Sequence, residues 1–478
     1  MSNTECDIAV VGCGPTGAAL ANLLALSGVQ VAVFERSEAL YPLPRAVHFD
    51  DECMRLFQTL GISGALSERV RVNPGMRFVD DAGTLLLDWP RPQQPGPQGW
   101  HASYRLHQPD LEQLLRQALH TAPHATLHTG QAVTAIEQSP DRVSLDVTDT
   151  RTGRASRCVA RYAVGCDGAH STVREAMGAG YHDLGFAERW LVVDLLLKRE
   201  RPDLGDHTLQ YCNPDYPATY CRNPGKRRRW EFRLDRDEGD ADATAPAALW
   251  TRLSRWVSTR DADIERAAVY TFRSALATQW QTGRLLLAGD AAHLTPPFMG
   301  QGMCAGLRDA ANLAWKLAHC VADDAAQPLL ATYEAERAPH ARAYIDTAMR
   351  LGGLINAADQ DGALELAESG SRTLASLSRR LGGVPENTHP AVGQLMPQPT
   401  LADGRRLDDA VGYAPALLTR EAMPGAHAHN DIAVFDGDTH PDIGRALDTL
   451  GVHAVRVRPD RYACEVARDA ETVTQWLR

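Results

Sequence analysis

Residues 7–35, DIAVVGCGPTGAALANLLALSGVQVAVFE, decide how this chain begins to fold. Residues 7–11 form a short buried-strand pattern, and three glycines follow in G-x-G-x-x-G register at Gly12, Gly14 and Gly17. The next stretch has helical periodicity and stops at Gly28, a residue type that terminates helices. A second strand pattern closes on Glu35, eighteen residues past Gly17, with Arg36 beside it. Each piece has a reason. Glycine at 12 permits the tight turn, at 14 it lets the backbone approach a pyrophosphate, and at 17 it lets the helix lie close on the strand. Pro15 and Thr16 open the helix, whose unpaired N–H groups and partial positive charge suit phosphates. Glu35 stands where a carboxylate grips ribose hydroxyls. The unit reads as a dinucleotide-binding βαβ fold, and its pattern does not choose between NAD and FAD.

Composition bounds what surrounds this unit. At 478 residues the chain exceeds one compact core, so two or three domains are expected. Hydrophobic residues at 44% and charged residues at 23% suit a globular protein. A net charge of −11 argues against nucleic acid as a partner, because phosphate binding wants a basic face. No apolar run is long enough to span a membrane, so no membrane association is expected. The strand pattern starts too early to leave room for a signal peptide, and a cytoplasmic location is expected. The ten cysteines are scattered, without C-x-x-C pairs or zinc-like spacing. They read as reduced thiols with no metal site, so redox work must come from a cofactor.

Further along, a Pro-rich loop delivers Arg45, and an amphipathic helix runs from about Asp50 to Leu60. MRFVDDAGTLLLDW (76–89) reads as a hairpin, 90–99 as a loop, and SYRLHQPDLEQLLRQAL (103–119) as a strand and helix with Pro109 in the first turn. Residues 126–166 read as a β-meander running into DGAHSTVREAMG. Strand-like runs return over 188–235, including a hairpin around RNPGK (222–226). RLLLAGD (284–290) is another buried strand, ending in Asp290, and two long helices follow. Residues 381–412, rich in Gly, Pro and Asn, read as a linker. The remainder alternates strands and helices as a small α/β appendage.

Three segments, GCGPTG with Glu35, GCDGAHSTVRE (165–175) and LLLAGDAAHLTPPFMGQGM (285–303), in this order and spacing, carry a family resemblance. The chain resembles the FAD-dependent aromatic hydroxylases of the 4-hydroxybenzoate hydroxylase fold, also called group A flavoprotein monooxygenases. PRAVHFDDECMRLFQTLG (44–61) and YCRNPGKRRRWEF (220–232) look most like 3-(3-hydroxyphenyl)propionate hydroxylases. The resemblance implies an α/β fold with an α+β substrate layer. It comprises a discontinuous FAD-binding Rossmann-like domain (1–78, 100–182, 269–350), a substrate-binding β-sheet domain (79–99, 183–268) and a helical segment with linker (351–395). A thioredoxin-like domain lacking C-x-x-C (396–478) completes it. Without paired cysteines the last domain is left with packing or homodimerisation as its role.

The resemblance also implies site residues. Glu35 would hold the adenosine ribose, with Arg45, Arg105 and Gln108 along the pyrophosphate and ribityl chain. Asp167 and Gly168 would stabilise the FAD site, Gly289 would line it, and Asp290 would bind a ribityl hydroxyl or a phosphate-side water. Pro296 and Pro297 would fix the backbone's approach, and Gly300 and Gly302 would let the isoalloxazine come close. Backbone N–H groups of Gly302, Met303 and Cys304 would face the N1/C2=O edge, where reduction places negative charge. Relatives commonly carry Asn where this chain has Cys304, and Arg where it has His170, which puts cofactor tuning in question.

The implied reaction uses NADPH or NADH as a transient electron donor and O2, and hydroxylates a small phenolic substrate through a flavin C4a-hydroperoxide in a site kept dry. Only one G-x-G-x-x-G occurs, so the nicotinamide needs no second Rossmann domain. Candidate catalytic groups are His48 as proton acceptor, Tyr211 and Tyr220 as hydrogen-bond donors, and the backbone at Pro297. A structural histidine and packing tyrosines are the competing readings. The run GKRRR (225–229) reads as a solvated hairpin tip rather than a site for a carboxylated substrate. The alternatives are an oxygenase or Baeyer–Villiger enzyme for a polycyclic polyketide or heteroaromatic ring, and a non-catalytic flavin-binding protein. The W-x-W-x-I-P segment of flavin halogenases is absent.

Overall fold

The computed structural model describes residues 3–213, 215–356, 379–423 and 432–476. Five strands of its first sheet run parallel, in the order Leu285–Leu287, Ala155–Gly165, Asn3–Val11, Val31–Glu35 and Ala125–Thr129. Near-continuous Val, Ile, Leu and Ala runs in the first four are buried on both faces, as a parallel sheet covered by helices requires, while Ala125–Thr129 forms the more exposed edge. The register sets Val11 opposite Phe34 and Gly165, and Gly165 opposite Leu287. The carboxyl ends of four strands therefore finish at one edge, where ligands bind in open α/β sheets. The helices Pro15–Leu26 and Gly302–Ala322 pack over this layer.

A second eight-stranded sheet stands beside it. It joins Gly75–Val79 and Leu85–Pro90 to Thr208–Tyr211, Ala218–Arg222, Arg227–Arg233 and the long strands Tyr181–Leu197 and Ala262–Ala277, with His293–Leu294 at its edge. It thus takes in Gly75–Val79, just before the boundary read at 79. Its outer face carries an apolar core with Trp230, Leu249, Leu253 and Val257. A three-stranded ribbon, His48–Asp50, Ser103–Arg105 and Arg71–Val72, lies between the two large layers and pairs His48 with Arg105.

The carboxyl-terminal layer has strands Ala433–Asp436, Ala416–Thr419, Ala454–Val457 and Ala463–Ala467 in that spatial order, the first two parallel and the others antiparallel. Among the described residues no helix is long and apolar enough to cross a membrane.

The structure corrects three local readings. Ala125–Thr129, read as part of a meander, pairs in parallel with Val31–Glu35 instead, while the following three strands do form the meander. The described part of 381–412 is not a free linker. Leu395, Met396, Leu401 and Leu407 are buried in it, and Asp408 pairs with the buried Arg55 at 2.7 Å. The GKRRR run is solvated only at its tip: Gly225 and Lys226 are exposed, but Arg228 and Arg229 are 1% and 2% exposed. Arg229 pairs with Asp194 at 2.7 Å and donates to the carbonyls of Pro44 and Arg45, so the second sheet holds the Arg45 loop in place. Ala416–Thr419 is a strand the sequence reading passed over. Of the helical segment and linker read over 351–395, residues 357–378 lie outside the described residues, as do 424–431 of the last domain.

Candidate functional site

At the aligned strand ends, Gly12 has φ +95°, and a Cβ on it would stand 2.5 Å from the Cys166 carbonyl oxygen. A Cβ on Gly17 would drive into the Gly12 carbonyl. Nothing lies within 4 Å of the corresponding position on Gly14, which leaves room beside the first turn of Pro15–Leu26. Glu35 faces this turn and accepts from the Cys13 and Ser37 N–H groups, both at 2.9 Å, while Arg36 is exposed beside it. Asp167 Oδ2 accepts from the Thr172 N–H at 2.7 Å, whereas the buried Oδ1 has no partner among the described residues. Burial pushes the Asp167 carboxyl up, and Gly168 follows at φ +82° with open space around it. An open glycine turn, an orphaned acceptor and a bare helix end fit a pyrophosphate-linked dinucleotide. Arg116, absent from the sequence reading, reaches the Cys13 carbonyl at 3.3 Å and belongs to this end.

The Asp290 turn is built from behind. Asp309 is fully buried and accepts from the Gly289 N–H (3.0 Å), His293 Nε2 (2.7 Å) and Arg337 Nε (2.9 Å). Burial alone would raise its carboxyl, but His293 and Arg337 hold it down at about 2. Asp290 lies in a 3-10 turn just past the strand, open to the cleft, and its carbonyl accepts from the Tyr181 hydroxyl. The enclosing walls still exclude enough water to push its carboxyl up, against the pull of His293 and Arg45. Gln108 fixes the Arg45 loop by accepting from the Arg45 and Ala46 N–H groups at 3.0 and 2.6 Å. Thr16 sits at a helix crossing, where a Cβ on Gly306 would strike its hydroxyl.

Beyond Asp290, Pro297–Met299 form a 3-10 turn closed by the Gly300 N–H donating to the Pro297 carbonyl at 2.8 Å. Gly300 has φ +64°, and its Cβ would stand 2.9 Å from His48 Cβ, so both the backbone and His48 require glycine there. Gly302 does open onto free space. In Gly302–Ala322 the Ala305 N–H donates to Gln301, and the N–H groups of Gly302, Met303 and Cys304 precede the helix's own bonds. The Cys304 thiol turns inward against the carbonyls of His48 and Gly300, both at 3.9 Å.

His48 is buried between two partners. Nδ1 lies 3.1 Å from the Gly300 carbonyl and Nε2 lies 2.8 Å from Ser103 Oγ. A carbonyl only accepts, so we assign the proton to Nδ1. Ser103 then donates to Nε2 and accepts from Asn73 Nδ2 at 2.9 Å, keeping one lone pair free. Burial, reinforced by Arg105, lowers the His48 pKa to about 4, so the ring is neutral at ordinary pH.

This group opens onto a pocket of about 60 Å³ between the Pro297–Gly300 turn and the second sheet. Met76, Trp89, Phe298 and Met299 supply its apolar walls, and Thr208, Gln210, Thr219, Cys221 and Glu231 its sheet face. Here the pleat overturns two sequence candidates. Residues 208, 210, 219 and 221 face the pocket, so Tyr211 and Tyr220, one residue out of phase, face the outer core. Tyr211 accepts from Trp256 Nε1 at 2.9 Å, and Tyr220 packs on Trp230 with ring centroids 4.9 Å apart. Both are packing residues. Arg105, expected along the pyrophosphate, lines this pocket and donates to Thr208 Oγ1. The alternation TLQY and ATYCR carried the signal for Thr208, Gln210 and Thr219; nothing local pointed to Ser103, Asn73 or Asp309.

Against known proteins, the model of the FAD binding domain family matches residues 5–348. A probable NADH-specific resorcinol 4-hydroxylase of Rhodococcus jostii is 37% identical, covering 97% of this chain and 92% of its own length. A 3-(3-hydroxy-phenyl)propionate/3-hydroxycinnamic acid hydroxylase of Burkholderia cenocepacia is 36% identical, covering 90% of this chain and 82% of its own. Among solved structures, the OxyS anhydrotetracycline hydroxylase of Streptomyces rimosus superposes with a TM-score of 0.78 at 26% identity over 99% of both chains. A ternary complex of aklavinone-11 hydroxylase with FAD and aklavinone gives 0.82 at 22% identity over 100% of this chain and 99% of that one, a likeness of fold.

Proposed function

Because the chain belongs to the FAD binding domain family, we propose that it is an FAD-dependent hydroxylase of one-ring phenols, with NADH as electron donor and O2 as oxygen source. Glu35, the Gly12–Gly17 turn, Asp167, Arg45 and Asp290 would hold the dinucleotide, with its ring edge toward the N–H groups of Gly302–Cys304. When bound, FAD supplies the redox chemistry that activates O2. The chain's own task is to orient the phenol, exclude water and move one proton.

The observation that carries this reading is the directed chain Asn73–Ser103–His48–Gly300 opening onto the pocket. A phenol hydroxyl would donate to the free lone pair of Ser103. A neutral His48 near 4 cannot hold the proton of a resting phenol, whose pKa is about 10, because six units amount to ~8 kcal/mol. Once an oxygen atom adds to the ring, however, the hydroxyl becomes a strong acid. Ser103 then passes its own proton to His48 Nε2 while accepting the substrate's, and the base strength matches the moment of need. The reading of one ring over a fused polycycle is supported by the curated relatives, which are named for resorcinol and for hydroxyphenylpropionate.

The test is to supply the purified protein with FAD, NADH, O2 and a panel of simple phenols, and to quantify ring-hydroxylated product against NADH consumed. Near-equal amounts for at least one phenol are expected. NADH consumption that yields only hydrogen peroxide with every phenol would overturn the proposal.

A further inference from the structure

Resting on that hydroxylase reading, we infer that Arg105, with Thr208 beside it, is the specificity-determining anchor for a second oxygen on the phenol, carried as a ring hydroxyl or as a side-chain carboxylate. Ser103 and Arg105 are two residues apart on one strand, so their side chains share a face, separated by about 7 Å along it. That is comparable with the span of one ring bearing oxygens on non-adjacent positions. The strand that holds the reacting hydroxyl thereby also carries the cation for the other end of the molecule.

Arg105 is buried, and its Nε has no hydrogen-bonding partner among the described residues. Its one hydrogen bond given by the structure is to Thr208 Oγ1. The contrast with Arg229, on the inner side of the second sheet, is direct: Arg229 is saturated by Asp194 and two loop carbonyls. Glu231, on the same pocket wall, has Arg229 as its ion-pair partner at 3.6 Å and feels the Arg105 charge as well. A desolvated cation with spare donors is costly unless something pairs with it. The neighbouring Gln210 adds a second donor. Its carbonyl is taken by the Thr219 hydroxyl at 2.5 Å, and its amide nitrogen meets only Met76 Sδ at 3.6 Å. A floor of donors calls for an acceptor oxygen, best an anionic one.

The anchor also couples binding to proton transfer. Arg105 is one of the charges that keep His48 neutral. An anionic oxygen seated on Arg105 cancels that field, so the substrate that fits raises the basicity of the group that accepts its proton. A phenol lacking the second oxygen leaves the field in place.

The experiment uses FAD-loaded protein without NADH, so that binding is read apart from turnover, as the dissociation constant from perturbation of the flavin absorbance. The ligands are 1,3-dihydroxybenzene, 3-(3-hydroxyphenyl)propanoate and, as the control without a second oxygen, 3-ethylphenol. The wild type is expected to bind at least one oxygen-bearing ligand about 30-fold tighter than 3-ethylphenol. The larger of the two gains identifies whether a hydroxyl or a carboxylate occupies the anchor. Arg105→Gln is expected to keep its FAD, cut that preference to about 3-fold or less and raise the apparent pKa of the acid limb of kcat. Loss of FAD from Arg105→Gln, or equal weakening of all three ligands, overturns the inference and returns Arg105 to the cofactor. Should Arg105→Gln fail to fold, Thr208→Val decides: a reduced preference supports the anchor, and an unchanged one overturns it. The hydroxylase reading stands or falls separately, on product formation by the wild type.

Discussion

The two ends of the cleft are built by different rules. At the nucleotide end the main chain does the work: a turn at Gly12, an open Gly14, a bare helix end and one carboxylate, all within 7–35. At the aromatic end side chains do it, drawn from Asn73, Ser103, Thr208, Gln210, Thr219 and the 297–300 turn, which meet only after three sheets have assembled. Backbone sites demand glycine at fixed spacing and so announce themselves. Side-chain sites demand only that the right residue fall on the right phase of a pleat, and many sequences meet that condition.

The strongest way to break this comparison is at the backbone. Gly17→Ala places a methyl against the Gly12 carbonyl, which lies in the turn and cannot retreat. We expect loss of bound FAD and a destabilisation of roughly 3–5 kcal/mol, checked by flavin content and thermal denaturation. A variant that retains full flavin and the wild-type melting temperature would show that the turn is not built as described.

At the aromatic end the effect should fall on rate and spare the cofactor. His48→Gln keeps a hydrogen-bonding group but removes the proton acceptor, so kcat should drop by about 10²–10⁴-fold with flavin content unchanged. Coupled product formation and flavin content, measured together, distinguish this from loss of the cofactor.

The same residue sharpens the comparison through pH. Burial first, and Arg105 second, hold His48 near 4, below its ordinary value near 6.5. Below 6.5 the unfolded chain therefore binds a proton there that the folded chain refuses. Stability from this group is fully present above 6.5 and is lost as pH falls from 6.5 toward 4, by ~1.4 kcal/mol per unit. His340, held near 2 chiefly by burial and Arg337, acts in the same direction, while raised carboxylates such as Glu231 act in the opposite one. The clean readout is thus a difference. Between pH 6.5 and 4.5 the denaturation free energy of the wild type should fall more steeply than that of His48→Gln, by one proton's worth.

How much could be read beforehand follows the same division. Gly12, Gly14, Gly17 and the helix opening at Gly302 have the local geometry that their spacing calls for, because each does a backbone task tied to its neighbours in sequence. Gly300 also stands against His48, a contact that its spacing did not announce. The buried Arg229–Asp194 pair hid inside an apparent charge run, because sequence cannot tell a hairpin tip from a strand that turns two arginines inward. Asp309, twenty residues from the turn it supports, had no local signature, and neither did the Arg55–Asp408 pair that draws the carboxyl-terminal segment onto the first domain. Such contacts depend on which surfaces meet, and that is a property of the whole assembly.

The smallest effect tests the pleat itself. Thr219 and Tyr220 are adjacent, yet one lines the pocket and the other is sealed in the outer core. Among the described residues the buried Tyr220 hydroxyl has no hydrogen bond of good geometry, and burial pushes its pKa up to about 12 against the pull of nearby Arg228. Removing an unsatisfied buried hydroxyl while keeping the ring relieves a desolvation penalty without opening a cavity of consequence. Tyr220→Phe should therefore leave KM and kcat unchanged and be neutral or stabilising by up to ~1 kcal/mol. A donor to the phenol would behave otherwise: KM would rise and the gain in stability would vanish. Steady-state kinetics and a denaturant midpoint on this one variant thus decide which face of the strand the substrate meets.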